Sequence, residues 1–163
     1  MIILGIDPGY AIVGYGIIEC KSGKALPLGY GAIRTSKELS IPERLRQIGE
    51  GIDALIAHYS PDAIAVEEIF FHTNQKTAIM VAQARGVILY KASLSNTILY
   101  EYTPLQIKQA ITGYGRADKA QIQQMVKVLL GLSAIPKPDD ASDALAVALT
   151  HSHTDKLSAL FKV

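Results

Sequence analysis

The chain has 163 residues, 49% hydrophobic and 19% charged, and its 16 Lys and Arg against 15 Asp and Glu leave a formal charge of +1. That length suits one compact domain over residues 1–163, burying roughly 70% of the surface its unfolded chain exposes, and the balance of residue types excludes a disordered or low-complexity protein. With Cys20 as the single cysteine, no run of about 18 apolar residues, and Asp7 reached before a signal-peptide core could form, disulfide-stapled, membrane-spanning and secreted classes are set aside and a cytoplasmic protein is expected.

In chain order, residues 1–7, 14–19 and 28–34 read as three short strands, rich in Ile and separated by the turn formers Pro8-Gly9 and Ser22-Gly23. Short links predict an antiparallel meander. From Ile41 the apolar period becomes helical through Leu45, Ile48, Ile52, Leu55 and Ile56, with Ser40 as cap and Pro42 in the first turn, so a helix runs to about His58. Ser60-Pro61-Asp62 breaks it. Residues 63–67 form a short buried strand, 77–92 a second helix, and 97–102 another strand. Thr103-Pro104 then caps a helix, Gly113-Tyr114-Gly115 interrupts it, a further helix starts at Asp118, and Pro136 and Pro138 end that region. The last helix opens at Asp139 or Asp140. The expected fold is α/β, a five-stranded mixed sheet with helices on both faces and the later strands parallel to the first.

Charge is distributed unevenly. Between Ile69 and Pro138 there are eight bases and two acids, a balance that suits an anionic polymer laid across a carboxylate site, and equally suits scattered surface lysines.

Asp7 and Glu67 each close a strand, at the end of a parallel sheet where ligands gather. Alternation puts Asp7 on one face with Gly5 and Ile3, and Glu67 with Ala65 and Ala63; Glu68 falls on the opposite, apolar side, so Glu67 is preferred of that pair. Asp140 and Asp143 are i and i+3 at the start of the last helix and share a face, with Asp139 about a quarter-turn aside. Each acid also suits a structural role: Asp140 as a helix cap, Asp143 as a dipole partner, Glu67 as a solvated strand end, Asp7 as a turn residue. Their combination points to chemistry. Four converging carboxylates repel one another unless a cation intervenes, and oxygen donors without a Cys/His set favour Mg²⁺, with Mn²⁺ as substitute, over zinc. Two such ions about 3.5–4 Å apart form the usual clamp for phosphodiester cleavage.

Taken together, Gly5-Ile6-Asp7-Pro8-Gly9, Gly14-Tyr15-Gly16, Ala65-Val66-Glu67 leading to Phe70, Gln83-Ala84-Arg85-Gly86-Val87 and Asp140-Ala141-Ser142-Asp143-Ala144-Leu145-Ala146 resemble, in order and spacing, the RuvC family of Holliday-junction resolvases. The match covers nearly the whole chain. The resemblance implies a ribonuclease H-like fold, a homodimer, and a metal-binding catalytic quartet on Asp7, Glu67, Asp140 and Asp143. It further implies phosphate contacts from Lys108 and Lys119, which flank the Gly113-Tyr114-Gly115-Arg116 loop, so Arg116 joins the expected DNA contacts. Phe70 matches an aromatic that stacks on a base, with Phe71 beside it as an alternative. Arg85 lies on the helix that resembles the family's dimer interface, or pairs locally. Glu68 and Asp139 adjoin motif positions and remain alternative ligands, and no chemistry is assigned to His58, His72, His151 or His153. The implied reaction is paired, symmetric, metal-dependent nicking of four-way junction DNA in recombination and repair, leaving 5′-phosphate and 3′-hydroxyl ends, in cooperation with the RuvA–RuvB branch-migration machinery. Rival readings are a nuclease of RNA–DNA hybrids, a phosphate-binding ATPase module and a non-catalytic DNA-binding protein.

Overall fold

The computed structural model describes residues 1–69, 75–154 and 162. Five strands, β1 (Ile2–Asp7), β2 (Ile12–Lys21), β3 (Lys24–Arg34), β4 (Ala63–Glu67) and β5 (Ile98–Tyr102), form one sheet in the order β3-β2-β1-β4-β5. The first three are antiparallel neighbours, while β4 lies parallel to β1 and β5 parallel to β4. This is the mixed sheet expected from the sequence.

The strands of the hairpin are longer than the sequence reading allowed. β2 and β3 run up to Ser22 and Gly23, whose φ values of 52° and 78° make a two-residue turn that matches the twist of its flanking strands. Pro27 lies inside β3. It is accommodated because β3 is an edge strand and the register shifts between Ile17 and Ile18, opposite Pro27.

Helices α1 (Ile41–Tyr59) and α2 (Gln75–Ser93) cover one face of the sheet. Ser40 and Glu43 form a capping box that starts α1, and Ser60 in the left-handed region closes it. Ile48 and Ile52 of α1 and Ala84, Ile88 and Ala92 of α2 pack on Leu4, Ile6, Ile17, Ile64 and Val66. Full burial of each isoleucine is worth about 1.5–3 kcal/mol.

The other face carries α3 (Pro104–Thr112), α4 (Lys119–Leu129) and α5 (Asp139–Thr154). Here Ile107, Ile111, Ile122, Val126 and the Ala/Leu/Val run of α5 meet Ile3, Ile18, Ala63 and Ala65. Helix α5 is buried along most of its length, which its alanines permit by keeping the backbone close to the sheet. His151, to which no chemistry was assigned from sequence, sits inside this core: its Nδ1 lies 2.8 Å from the Tyr102 hydroxyl and its ring against Tyr100. It braces α5 on β5. No helix among the described residues is long and apolar enough to cross a membrane.

Candidate active site

Parallel pairing sets Ile6 beside Val66, so the next residues, Asp7 and Glu67, end adjacent strands side by side. Both belong to the face covered by α5. Asp7 pairs across to Gly14 on β2, and a methyl group on Gly14 would lie 2.0 Å from the Asp140 carbonyl oxygen; one on Gly5 would lie 2.1 Å from that of Ala144. The missing side chains let the first turns of α5 rest directly on β1 and β2. Asp140 and Asp143 are thereby brought toward Asp7.

Asp7, Glu67 and Asp143 line one cleft of about 320 Å³, together with Lys108 and Lys119 and the apolar Ile107, Ile122 and Ala146. Asp140 lies outside that lining, although its charge acts on Asp7. A larger cleft of about 470 Å³, between the β2–β3 hairpin and the end of α4, contains no carboxylate side chain and offers no comparable chemistry.

Two caps place the lysines. Thr103 and Gln106 form a capping box for α3, which carries Lys108, and Asp118 and Gln121 form another for α4, of which Lys119 is the first residue. Lys119 Nζ donates to Asp143 Oδ2 at 3.0 Å and lies 3.8 Å from Asp139 Oδ2. The loop between the helices is closed by its own hydrogen bonds: Gly113, with φ 72°, caps α3, and Thr112 Oγ1 accepts from the Tyr114 amide. Arg116 is exposed on this loop, outside the cleft.

The electrostatics follow from this crowding. Burial raises the Asp7 carboxyl to about 8, with Glu67, Asp143 and Asp140 adding repulsion and Lys119 opposing it. Burial likewise raises Glu67 to about 7; Asp143 adds to the shift, and Lys119 and Lys108 reduce it. Asp143 is raised as well, mainly by burial, against the hydrogen bond and charge of Lys119. Burial works against the Lys119 ammonium, but Asp143, Asp139 and Asp140 together raise it. Near neutral pH the acids cannot all ionise without more positive charge than Lys119 supplies.

Oxygen-only donors and that unmet negative charge fit a hard divalent cation in chemistry. With the side chains as they stand, however, no three of the Asp, Glu, His or Cys residues among those described are arranged to hold one ion. Lys119 occupies the position beside Asp143 instead.

The neighbouring residues separate cleanly. Glu68 does not point into the apolar core; it is half-buried in a cleft with Arg85 and Glu101, and Arg85 forms an ion pair with Glu101. Asp139 pairs with Lys137 at 2.7 Å, which holds its carboxyl below the usual range. Phe70, together with Phe71 and His72, lies outside the described residues.

Sequence reasoning missed the brace around the Asp7 turn. Thr35 Oγ1 donates to the Tyr10 carbonyl at 2.9 Å, Arg44 Nε donates to Thr35 Oγ1 at 2.8 Å, and the Arg44 guanidinium stacks 3.8 Å from the Tyr10 ring centroid. These partners are 25 and 34 residues from Tyr10, and no local pattern joins them.

A family model described as crossover junction endodeoxyribonuclease RuvC matches residues 3–151. Proteins named crossover junction endodeoxyribonuclease RuvC are 55% identical over 163 residues in Alkaliphilus metalliredigens, covering 100% of this chain and 99% of that protein, and 54% identical over 162 residues in Clostridioides difficile, covering 99% and 96%. Among solved structures, Thermus thermophilus RuvC superposes with a TM-score of 0.91 at 35% identity, and the same organism's RuvC in complex with a Holliday junction substrate with 0.90 at 32%, each over 100% of both chains. The yeast mitochondrial resolvase Ydc2 shares the fold, with a TM-score of 0.70 at 14% identity over 97% of this chain and 82% of its own.

Proposed function

The chain belongs to the RuvC family of crossover junction endodeoxyribonucleases, and from that premise we propose how its residues carry out the reaction. It is a Holliday-junction resolvase with a ribonuclease H-like sheet, a DNA-binding nuclease of recombination. The observation that carries the chemistry is the single cleft in which Asp7, Glu67 and Asp143 face Lys108 and Lys119.

In this reading Asp7, Glu67 and Asp143, joined by Asp140, would hold Mg²⁺, with Mn²⁺ as substitute and two ions per site. When bound, such a pair activates a water for in-line attack on a scissile phosphate and stabilises the leaving oxygen. Asp7, whose carboxyl is repelled by all three other acids, would gain most from the positive charge that the ions supply. Asp7 and Glu67 must give up their protons as the site is loaded, because both are raised toward neutrality. Lys108 and Lys119 hold phosphate oxygens at the cleft, and Arg116 contacts the backbone further along. The ends produced are a 5′-phosphate and a 3′-hydroxyl.

Paired cleavage calls for two such sites. Helix α2 turns Ala84, Ile88 and Ala92 inward yet leaves Ile79 and Tyr90 each 61% exposed, three turns apart on its outer face, which supports a homodimer joined there. A two-fold dimer presents its sites to a four-way junction that is itself roughly two-fold. Phe70 would stack near the crossover, and the products would be handed on in the cytoplasm with the RuvA–RuvB complex as partner. Cleavage of a mobile four-way junction in Mg²⁺, set against linear duplex and an RNA–DNA hybrid, tests the reading.

A further inference from the structure

Lys119, Asp139 and Lys137 make an uneven chain of charges at the lip of the cleft. Lys119 Nζ is 3.0 Å from Asp143 Oδ2 and 3.8 Å from Asp139 Oδ2, while Lys137 uses the other Asp139 oxygen, Oδ1, at 2.7 Å. Asp139 therefore holds one lysine while an oxygen remains for a second. Asp139 and Asp143 are four residues apart on α5, one turn from each other on the same side. They differ in setting: the Asp143 side chain is 25% exposed and lines the cleft, whereas that of Asp139 is 45% exposed and does not.

The backbone of Lys119 is fixed at the start of α4 by the Asp118–Gln121 capping box, so its ammonium reaches both carboxylates by side-chain rotation alone. A divalent ion taken up by Asp143 would compete with that ammonium for the same oxygens and repel it. Expulsion into solvent would remove a phosphate contact at the moment it is needed. Transfer to Asp139 would keep it at the cleft.

We propose that Asp139 is a positioning residue, the second seat that receives the Lys119 ammonium when a divalent ion takes Asp143. The inference rests on the metal reading of the site given above. It makes Lys119 an internal competitor of the ion, and makes Asp139 the residue that relieves the competition without ligating the ion itself.

The test is Mn²⁺ binding to the full DNA-free chain, followed by electron paramagnetic resonance of the free ion, in the wild type, Asp139→Asn, Lys119→Met and the double variant. Lys119→Met should tighten Mn²⁺ binding roughly three- to ten-fold. Asp139→Asn should weaken it by about three-fold in the presence of Lys119 and by less than about two-fold in its absence, since a simple loss of negative charge would act equally in both backgrounds. Asp139→Glu should restore binding close to that of the wild type. Both positions are solvent-exposed enough to tolerate substitution, and circular dichroism checks that the variants fold. Equal effects of Asp139→Asn in both backgrounds, or weaker binding in Lys119→Met, would overturn the second-seat role while leaving the metal site standing. Absence of Mn²⁺ binding by the wild type would overturn the metal reading and this inference together.

Discussion

Gly14 and the carbonyl of Asp140 occupy one another's space: a methyl group added to the glycine would lie 2.0 Å from that oxygen and 3.0 Å from the Asp140 Cβ. Because Gly14 pairs with Asp7 across the strands, this contact sets how near the acids of α5 come to the acid of β1. Gly14→Ala should lift the start of α5, lower stability by about 1–3 kcal/mol, and reduce cleavage further than stability alone explains. Denaturant unfolding and a cleavage assay on folded variant measure the two effects. Unchanged stability would contradict the close packing.

The three cleft acids should fail separately from DNA binding. Asp7→Asn, Glu67→Gln and Asp143→Asn each remove a proposed ligand, and each should lower the cleavage rate by more than the roughly 10–100-fold typical of outer-shell partners. Junction binding in EDTA should persist or strengthen, since a negative charge facing phosphate is lost. Loss of binding in proportion to cleavage would assign these acids to folding instead.

Protonation links the same cluster to stability. The Asp7 carboxyl rises from 3.8 to about 8 on folding and that of Glu67 from 4.5 to about 7, so between these limits the folded chain binds more protons than the unfolded one. Stability of the metal-free protein should therefore fall as pH rises from about 4 toward 8. Melting curves across that range check the slope, which Asp7→Asn should flatten. Added Mg²⁺ should raise the melting temperature more at pH 8 than at pH 6, because ion binding displaces the protons.

Lys108 and Arg116 provide a different signature. If each contacts a phosphate, Lys108→Ala and Arg116→Ala should weaken junction binding and reduce the slope of log affinity against log salt by about one each. Filter binding between low and moderate salt reads both. An unaltered slope would return Arg116, exposed on its loop, to the ordinary solvated surface.

The sequence made the acids legible because their positions follow from local periods. Asp7 and Glu67 end strands of alternating residues, and Asp143 follows Asp140 by three on a helix, so facing can be counted without coordinates. Which of the four line the cleft was not countable, since it depends on how deeply α5 settles onto Gly5 and Gly14. The hairpin was underestimated because Pro27 and the polar residues near the turn mask strand character that an edge position tolerates. Glu68 lies on the side that alternation gave it, the side covered by α2, but at the polar edge of that face beside Ala82, Arg85 and Glu101 rather than among its apolar residues. His151 met Tyr102, and Arg44 met Thr35 and Tyr10, through tertiary contacts that no spacing announces.

Metal-dependent resolution by this chain is measured with an end-labelled mobile four-way junction incubated with the purified protein in Mg²⁺ or in EDTA, beside linear duplex and RNA–DNA hybrid controls. The expected result is symmetric nicks in opposite strands of the junction alone, only in Mg²⁺, with ends that ligase can rejoin. Junction binding without nicks in Mg²⁺, or preferential cutting of the hybrid, would contradict it.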